Sequence, residues 1–207
     1  MNTFRIHLIR NGLTRANIEG IYCGTTDLSL CEQGRSELHA LVEEYSYPYT
    51  DILYVSPLAR ARETAGILFP DCEQEIVEDL RECSFGIYEG RSFAELGEDA
   101  SFQEWVVFGS DRHPAGAESP LHFQKRCVNA FVDIVHALMK NGNRSCAIVT
   151  HAGVIANILS SLGYPKKTAY DWQCIPGCGY TVRVDPSLFL RDPVIEIIGY
   201  VPEDLDV

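Results

Sequence analysis

The stretch Arg5-Ile6-His7-Leu8-Ile9-Arg10-Asn11-Gly12-Leu13-Thr14-Arg15-Ala16-Asn17 decides the architecture of this chain. Its apolar residues Ile6, Leu8 and Ile9 form a run too short for a helix and rich in β-branching, which predicts a buried strand. Arg10 ends the strand, and Asn11-Gly12 predicts a turn because both residues tolerate positive φ. Asn17 then falls in a polar loop. A buried strand that closes on an arginine and a tight turn suits anion binding at the carboxyl edge of an α/β sheet.

Outward from this stretch, strand and helix signals alternate. Residues 18–30 read as loop and 32–45 as a helix with Leu38, Leu41 and Val42 on one stripe. Residues 51–55 are a second short apolar strand. Ser56-Pro57 predicts a helix start, with serine as the cap and proline at the first helical position; that helix carries Arg60 and Arg62. A third strand is expected at 75–77. Residues 80–90 fit neither period, short helices are expected at 92–96 and 102–108, and Pro114 and Gly116 make 112–119 a loop. Ser119-Pro120 repeats the cap signature before a long amphipathic helix carrying Val128, Phe131, Val132, Val135 and Leu138. That helix stops near Asn141-Gly142. A strand follows at 146–149, then Thr150-His151-Ala152-Gly153 and a helix through Leu159. Late strands are expected at 179–184 and 194–200, the last at an edge open to pairing; a homodimer fits this, but nothing in the sequence requires one. The pattern predicts an α/β fold, with a mostly parallel central sheet between helices on both faces, in a single domain over 1–207.

Composition bounds the function. A net charge of −12, from 17 basic and 29 acidic residues, argues against nucleic-acid and anionic-membrane partners. It also makes a local arginine cluster more informative. No export signal and no membrane-length apolar run are visible, so a cytoplasmic protein is expected. The eight cysteines are irregularly spaced and read as free thiols. Cys174 and Cys178 frame a Cys-x-x-x-Cys without a second pair or nearby histidine, so no metal site is predicted. No G-x-G-x-x-G or P-loop follows the first strand, which sets a nucleotide-binding reading aside.

Three predicted strands end in polar or basic residues: Arg10-Asn11-Gly12, Ser56 to Arg60, and Thr150-His151-Gly153. Carboxyl ends of parallel strands collect on one edge, so two arginines, a histidine and helix N-termini would converge there as an oxyanion or phosphate pocket. Taken singly, each residue has a plainer reading. Asn11 is a turn former, His151 a capped structural histidine, Glu82 a loop carboxylate, and one of Arg60 and Arg62 a solvated side chain. His7, His39, His113, His122 and His136 carry no motif and read as structural or surface residues, and Cys23 and Cys83 as quiet packing near the pocket.

The motifs together resemble the histidine phosphatase superfamily, in the phosphoglycerate mutase-like branch that includes α-ribazole phosphatases. Leu8-Ile9-Arg10-Asn11-Gly12-Leu13-Thr14 with Asn17 is similar to its opening Arg-His-Gly motif. Ser56-Pro57-Leu58-Ala59-Arg60-Ala61 with Thr64-Ala65 is similar to its second-arginine motif. Leu80-Arg81-Glu82 with Phe85-Gly86 and Glu89-Gly90 is similar to its acid–base glutamate segment. Ala115-Gly116-Ala117-Glu118-Ser119 resembles the loop before its long helix, and Thr150-His151-Ala152-Gly153 its second-histidine motif. The resemblance implies a three-layer, phosphoglycerate mutase-like fold and a phosphomonoesterase acting on a small phosphorylated metabolite through a phosphohistidine. It implies Arg10, Asn17, Arg60 and His151 as phosphate ligands, with His151 also among the catalytic residues, Glu82 as general acid and base, and neither metal nor cofactor. Mutases hold a bisphosphate cofactor and carry longer insertions, so this length fits a phosphatase. The loop over 21–30 is closest to the α-ribazole phosphatase type.

One departure falls on the reacting atom. The family's nucleophilic histidine is Asn11 here, and an amide takes up no phosphoryl group. Loss of a covalent nucleophile costs turnover on the order of 10⁶-fold. The expectation is a pocket that binds a phosphate ester or inorganic phosphate with little turnover. Two origins stay open: a substitution introduced into a working enzyme, or a natural pseudo-phosphatase that binds or senses a phosphorylated metabolite. The retained Arg10, Arg60, Glu82 and His151 lean toward recent or deliberate loss.

Overall fold

The structure is a computed structural model that describes residues 3–108 and 114–203. Strand β1 (Phe4–Arg10) is followed by helices α1 (Arg15–Glu19) and α2 (Glu32–Glu44), strand β2 (Ile52–Val55), helix α3 (Ala59–Leu68) and strand β3 (Gln74–Ile76). Two 3₁₀ turns, Glu78–Leu80 and Gly86–Tyr88, lead to α4 (Phe93–Leu96) and α5 (Ala100–Phe108). The long helix α6 (Pro120–Asn141) precedes β4 (Ser145–Thr150), α7 (Ala152–Leu162), β5 (Gly163–Tyr164), β6 (Gly179–Val184), α8 (Pro186–Phe189) and β7 (Ile195–Val201).

The strands form one sheet in the order β3-β2-β4-β1-β6-β7-β5. β1, β2, β3 and β4 run parallel, and β6 alone is antiparallel to both of its neighbours. Period-two alternation gives the sheet two apolar faces. Ile6, Leu8, Tyr54, Cys146, Ile148 and Val182 pack beneath α6 and α7. Ile9, Leu53, Val55, Ala147 and Val149 pack against Leu38 of α2 and Ala61, Ala65 and Leu68 of α3. The chain is therefore the three-layer, mostly parallel α/β fold expected. A third, smaller cluster joins Tyr88, Leu96 and Phe102 to Tyr22, Phe85 and Trp105 through edge-to-face contacts. It gives the segment that fits neither period a core of its own.

Several local expectations change. Asn17 lies in helix α1, not in a loop, and its Oδ1 accepts from the backbone and hydroxyl of Thr14, the residue capping that helix. Ser56-Pro57 does not start α3: the cap is Leu58, because the buried Ser56 hydroxyl is engaged with His151 and with the backbone N–H of Leu58. Gly12 is not among the positive-φ glycines. Its role is steric, since a Cβ there would lie 2.7 Å from Leu38 Cδ1. Val42 is 40% exposed and leaves the stripe, which continues through Gly34 and Leu38 with Leu41 packed alongside. Strand β7 is second from the edge, yet β5 covers it only at Ile195 and Glu196. Of the expected 112–119 loop, residues 114–119 are non-helical, while Arg112 and His113 lie outside the described residues.

Ser119 caps α6 by accepting from the His122 N–H, with Pro120 in the first turn, as the sequence predicts. The helix buries Phe123, Cys127, Phe131, Ile134, Val135 and Leu138 in one face; Val128 and Val132 flank that face. Phe131 has no exposed surface and meets Phe189 at 6.3 Å between ring centroids. Phe131→Ala is expected to lower stability by about 3–5 kcal/mol, read as a lower urea midpoint at unchanged m. A loss below 1 kcal/mol would show that this face is not what secures α6 to the sheet.

Candidate active site

The carboxyl ends of β1, β2 and β4 place Arg10, Asn11, Ser56 and His151 side by side. The parallel ladder continues past the strands: Asn11 N–H donates to Thr150 O at 2.8 Å and Ser56 N–H to Val149 O at 3.0 Å. Arg10, Asn11, Asn17, Arg60, Glu82 and His151, with Thr14, Cys23 and Ala152, line one pocket of about 60 Å³. That is room for a tetrahedral oxyanion group. Every site residue expected from the sequence reaches this pocket.

His151 is 1% exposed and caps α7. Its ring is held at both nitrogens, Nδ1 by Asn11 Oδ1 at 2.9 Å and Nε2 by Ser56 Oγ at 2.7 Å. The amide nitrogen of Asn11 donates to Gly12 O at 2.7 Å, which orients Oδ1 toward His151. Nδ1 therefore carries the proton, and the Ser56 hydroxyl donates to Nε2. Burial, and then the charges of Arg60, Arg126 and Arg10, hold the imidazole well below its ordinary pKa. His151 is neutral at neutral pH and offers one N–H toward the Asn11 side of the pocket.

The two arginines are anchored on backbone carbonyls. Arg10 Nη1 donates to Cys174 O at 2.7 Å, while Arg60 donates from Nη1 to Thr26 O at 2.9 Å and from Nη2 to Gly24 O at 2.6 Å. A guanidinium has five N–H donors, so each keeps others for an anion. Arg60 is 4% exposed, whereas Arg62 is exposed; Arg60 is the arginine of α3 that reaches the pocket. Thr64, also on α3, accepts from Gly12 N–H at 2.9 Å and donates to Arg60 O at 2.6 Å, tying that helix to the β1 turn.

Glu82 supplies the carboxyl. Its oxygens accept from Cys83 N–H at 2.9 Å and Gly153 N–H at 3.1 Å. Burial pushes this group above the ordinary carboxylate range, against the pull of those two N–H groups and the charges of Arg60 and Arg126. A carboxyl so raised can hold a proton and return it. Cys23 Sγ lies 3.9 Å from Arg60 Nη1, and burial raises its pKa more than Arg60 lowers it, so the thiol stays protonated. Cys83 is likewise raised, to about 12, by burial and then Glu82 and Glu118. His7 lies in the sheet, bonded to Thr181 at 2.9 Å, and burial followed by Arg5 lowers it to about 4. His122 is at the surface, 2.8 Å from Glu118. The described residues contain no metal-binding cluster of His, Cys, Asp and Glu.

Ser56, Thr64 and Glu89 stand within the family-like motifs, but the sequence assigns none of them a role. Ser56 was masked by its resemblance to a helix cap, and Thr64 and Glu89 act through long-range contacts that carry no local signal. Glu89 accepts from the backbone of Gly24, Thr25, Thr26 and Phe85 and from the Thr26 hydroxyl. It thereby sets the loop whose carbonyls anchor Arg60. Burial opposes the charge, but these donors outweigh it and hold the carboxyl below its ordinary range. A depressed folded-state pKa stabilises above the unfolded value, near 4.3, and is lost as pH falls through the folded value. Glu89→Gln is therefore expected to lower the melting temperature at pH 7 and to flatten its fall below pH 5. An unchanged acid profile would remove Glu89 from this role.

The profile of the histidine phosphatase superfamily (branch 1) matches residues 6–189. Among similar proteins is the adenosylcobalamin/alpha-ribazole phosphatase of Salmonella typhimurium, 31% identical over 188 residues, covering 87% of this chain and 90% of that protein. A phosphoserine phosphatase 1 of Hydrogenobacter thermophilus is 27% identical over 151 residues, covering 71% and 70%. Among solved structures, an alpha-ribazole phosphatase from Shigella flexneri superposes with a TM-score of 0.78 at 22% identity, covering 99% of each chain. The phosphoglycerate mutase of Bacillus anthracis gives 0.75 at 20%, covering 96% and 92%; at these identities the likeness speaks for the fold. With the family profile spanning most of its length, the chain belongs to the histidine phosphatase superfamily, branch 1.

Proposed function

We propose that this chain binds a phosphate monoester of a small metabolite in the pocket of Arg10, Asn17, Arg60 and His151, and that Asn11 leaves it nearly without turnover. The observation that carries the reading is the convergence of two guanidinium groups, a neutral imidazole and a raised-pKa carboxyl on one oxyanion-sized pocket. Arg10 and Arg60 supply positive charge to the phosphoryl oxygens, where charge is greatest in transfer. The amide of Asn17 has its oxygen engaged with Thr14, so its N–H groups serve an anion. The net charge of −12 supports a small-molecule ligand over nucleic acid or an anionic membrane surface.

With a histidine at 11, the ring nitrogen facing the pocket attacks phosphorus as the ester P–O bond breaks. Glu82 delivers its proton to the departing alkoxide, and then takes one from the water that cleaves the N–P bond. Asn11 ends this sequence at its first step, because the amide lone pair is delocalised. Its side chain is oriented by two hydrogen bonds, to Gly12 O and from His151, which leave one amide N–H available to a phosphate oxygen. The second reading is a natural pseudo-phosphatase, a protein that holds or senses a phosphorylated metabolite without cleaving it.

Calorimetric titration with inorganic phosphate and a phosphate-ester panel is expected to show binding, with no hydrolysis alongside. Arg60→Ala should abolish that binding; retained affinity would remove Arg60 from the pocket. Asn11→His should raise p-nitrophenyl phosphate hydrolysis by several orders of magnitude without added metal, and a folded but inert variant would refute the phosphatase assignment. In the Asn11→His background, Gly153→Ala is informative, because a Cβ at 153 would stand 2.5 Å from Glu82 Oε1. It should lower kcat at least tenfold with phosphate affinity kept. Equal losses in both would mean that Glu82 is no separate acid–base group.

A further inference from the structure

Residues 81–84 carry Glu82 without helix or strand to hold them, so their backbone polar groups need other partners. One guanidinium meets part of that need. Arg126 of α6, with a side chain 5% exposed, donates from Nη1 to Asp79 O at 2.8 Å and to Arg81 O at 2.9 Å, and from Nη2 to Glu82 O at 3.4 Å. Its other edge forms a fork with Glu118, Nε to Oε1 at 2.9 Å and Nη2 to Oε2 at 2.5 Å. Glu118 is 10% exposed at its side chain, and its backbone N–H donates to Ser84 O at 3.0 Å. Just before the segment, Leu80 O accepts from the Thr150 hydroxyl at 2.7 Å. Helix α6 and the residue before His151 thus grip the same short segment from either end.

We propose that Arg126, braced by Glu118, is a positioning residue for the acid–base step: it sets where the Glu82 carboxyl stands. This rests on the assignment of Glu82 given above. Arg126 does not line the pocket, so it touches neither phosphate nor reacting atoms. A buried ion pair is weak support for stability as such, since desolvation offsets the attraction. Two carbonyls of the Glu82 segment, with Asp79 O just before it, are a more specific use for this one. The guanidinium also lies close enough to favour ionisation of Glu82 and to oppose protonation of His151. Lysine would keep the charge but lose the fork, because an ammonium is a single point donor.

The two contributions separate by substitution. In the Asn11→His background, Arg126→Lys is expected to lower kcat on the order of 10²-fold, as a displacement of about 1 Å does, with KM for p-nitrophenyl phosphate unchanged. Arg126→Met should lower kcat similarly and also move the pH–rate limb of Glu82 upward, because a neighbouring positive charge is gone. A residue serving only the fold would lower the melting temperature and leave kcat per folded molecule and the limb in place; that result overturns the proposal. A matching rise in KM would also overturn it, since Arg126 would then act on binding. If Arg126→Met does not fold, Arg126→Lys carries the test alone.

The native chain supplies a readout that needs no turnover. The Glu82 carboxyl, followed by ¹³C NMR titration and assigned with Glu82→Gln, should titrate higher in Arg126→Met, while phosphate affinity by calorimetry stays within about twofold. An unmoved Glu82 titration overturns the positioning role even if phosphate binds. No phosphate binding in the unsubstituted chain, with Glu82 still shifting, would instead count against the pocket's function and leave Arg126 as the group that sets Glu82.

Discussion

The rest of the site depends on a buried, uncharged imidazole. His151 stands at the end of β4 with Ser56 on one ring nitrogen and Asn11 on the other, and a protonated ring there would bring a third positive charge against Arg10 and Arg60. Keeping it neutral limits the positive charge in this small pocket to the two guanidinium groups. The arrangement requires β1, β4 and β2 to end in step. The parallel register does this, pairing Arg10 with Thr150 and Val55 with Val149. A one-residue slip would turn His151 to the opposite face of the sheet.

Around this neutral centre, the charged groups are tied into backbone. Arg60 is held by the carbonyls of Gly24 and Thr26, that loop by Glu89, and the Glu82 segment by Arg126. Each buried ion thus also supplies hydrogen bonds to chain that has no ladder of its own, which is the condition under which buried charge is tolerated. The aromatic cluster of Tyr22, Phe85, Tyr88 and Phe102 supplies apolar burial for the same irregular stretch. The middle of the chain, least regular in sequence, is therefore built almost wholly by long-range contacts.

The legible parts of the fold were those whose signals are local. The β-branched run of β1, the stripe along α6 and the Ser119-Pro120 start of α6 each express a preference of consecutive residues, and the structure follows them. The short helix α1 was readable in principle, because Thr14 and Asn17 have capping-box spacing. The Ser56-Pro57 signature misled, because a buried histidine from a strand 95 residues later is the partner that engages the serine hydroxyl. Val42 misled because a periodic stripe gives no width, and only the packing of α2 on α3 sets where the buried face stops.

For the site, sequence alone determined which residue types are present: two arginines, a glutamate, a histidine, and an asparagine where the family places its nucleophile. Chemistry attached to a single side chain is visible there, including the inability of Asn11 to accept a phosphoryl group. Tertiary structure alone decided how those groups are set: the tautomer of His151, the raised carboxyl of Glu82, the anchoring of Arg60, and the reach of Arg126 to a segment some 45 residues away. The reason is physical. Residue identity fixes what a group can donate or accept, whereas burial and the partners that fill its remaining hydrogen bonds depend on which distant strands and helices the sheet brings together.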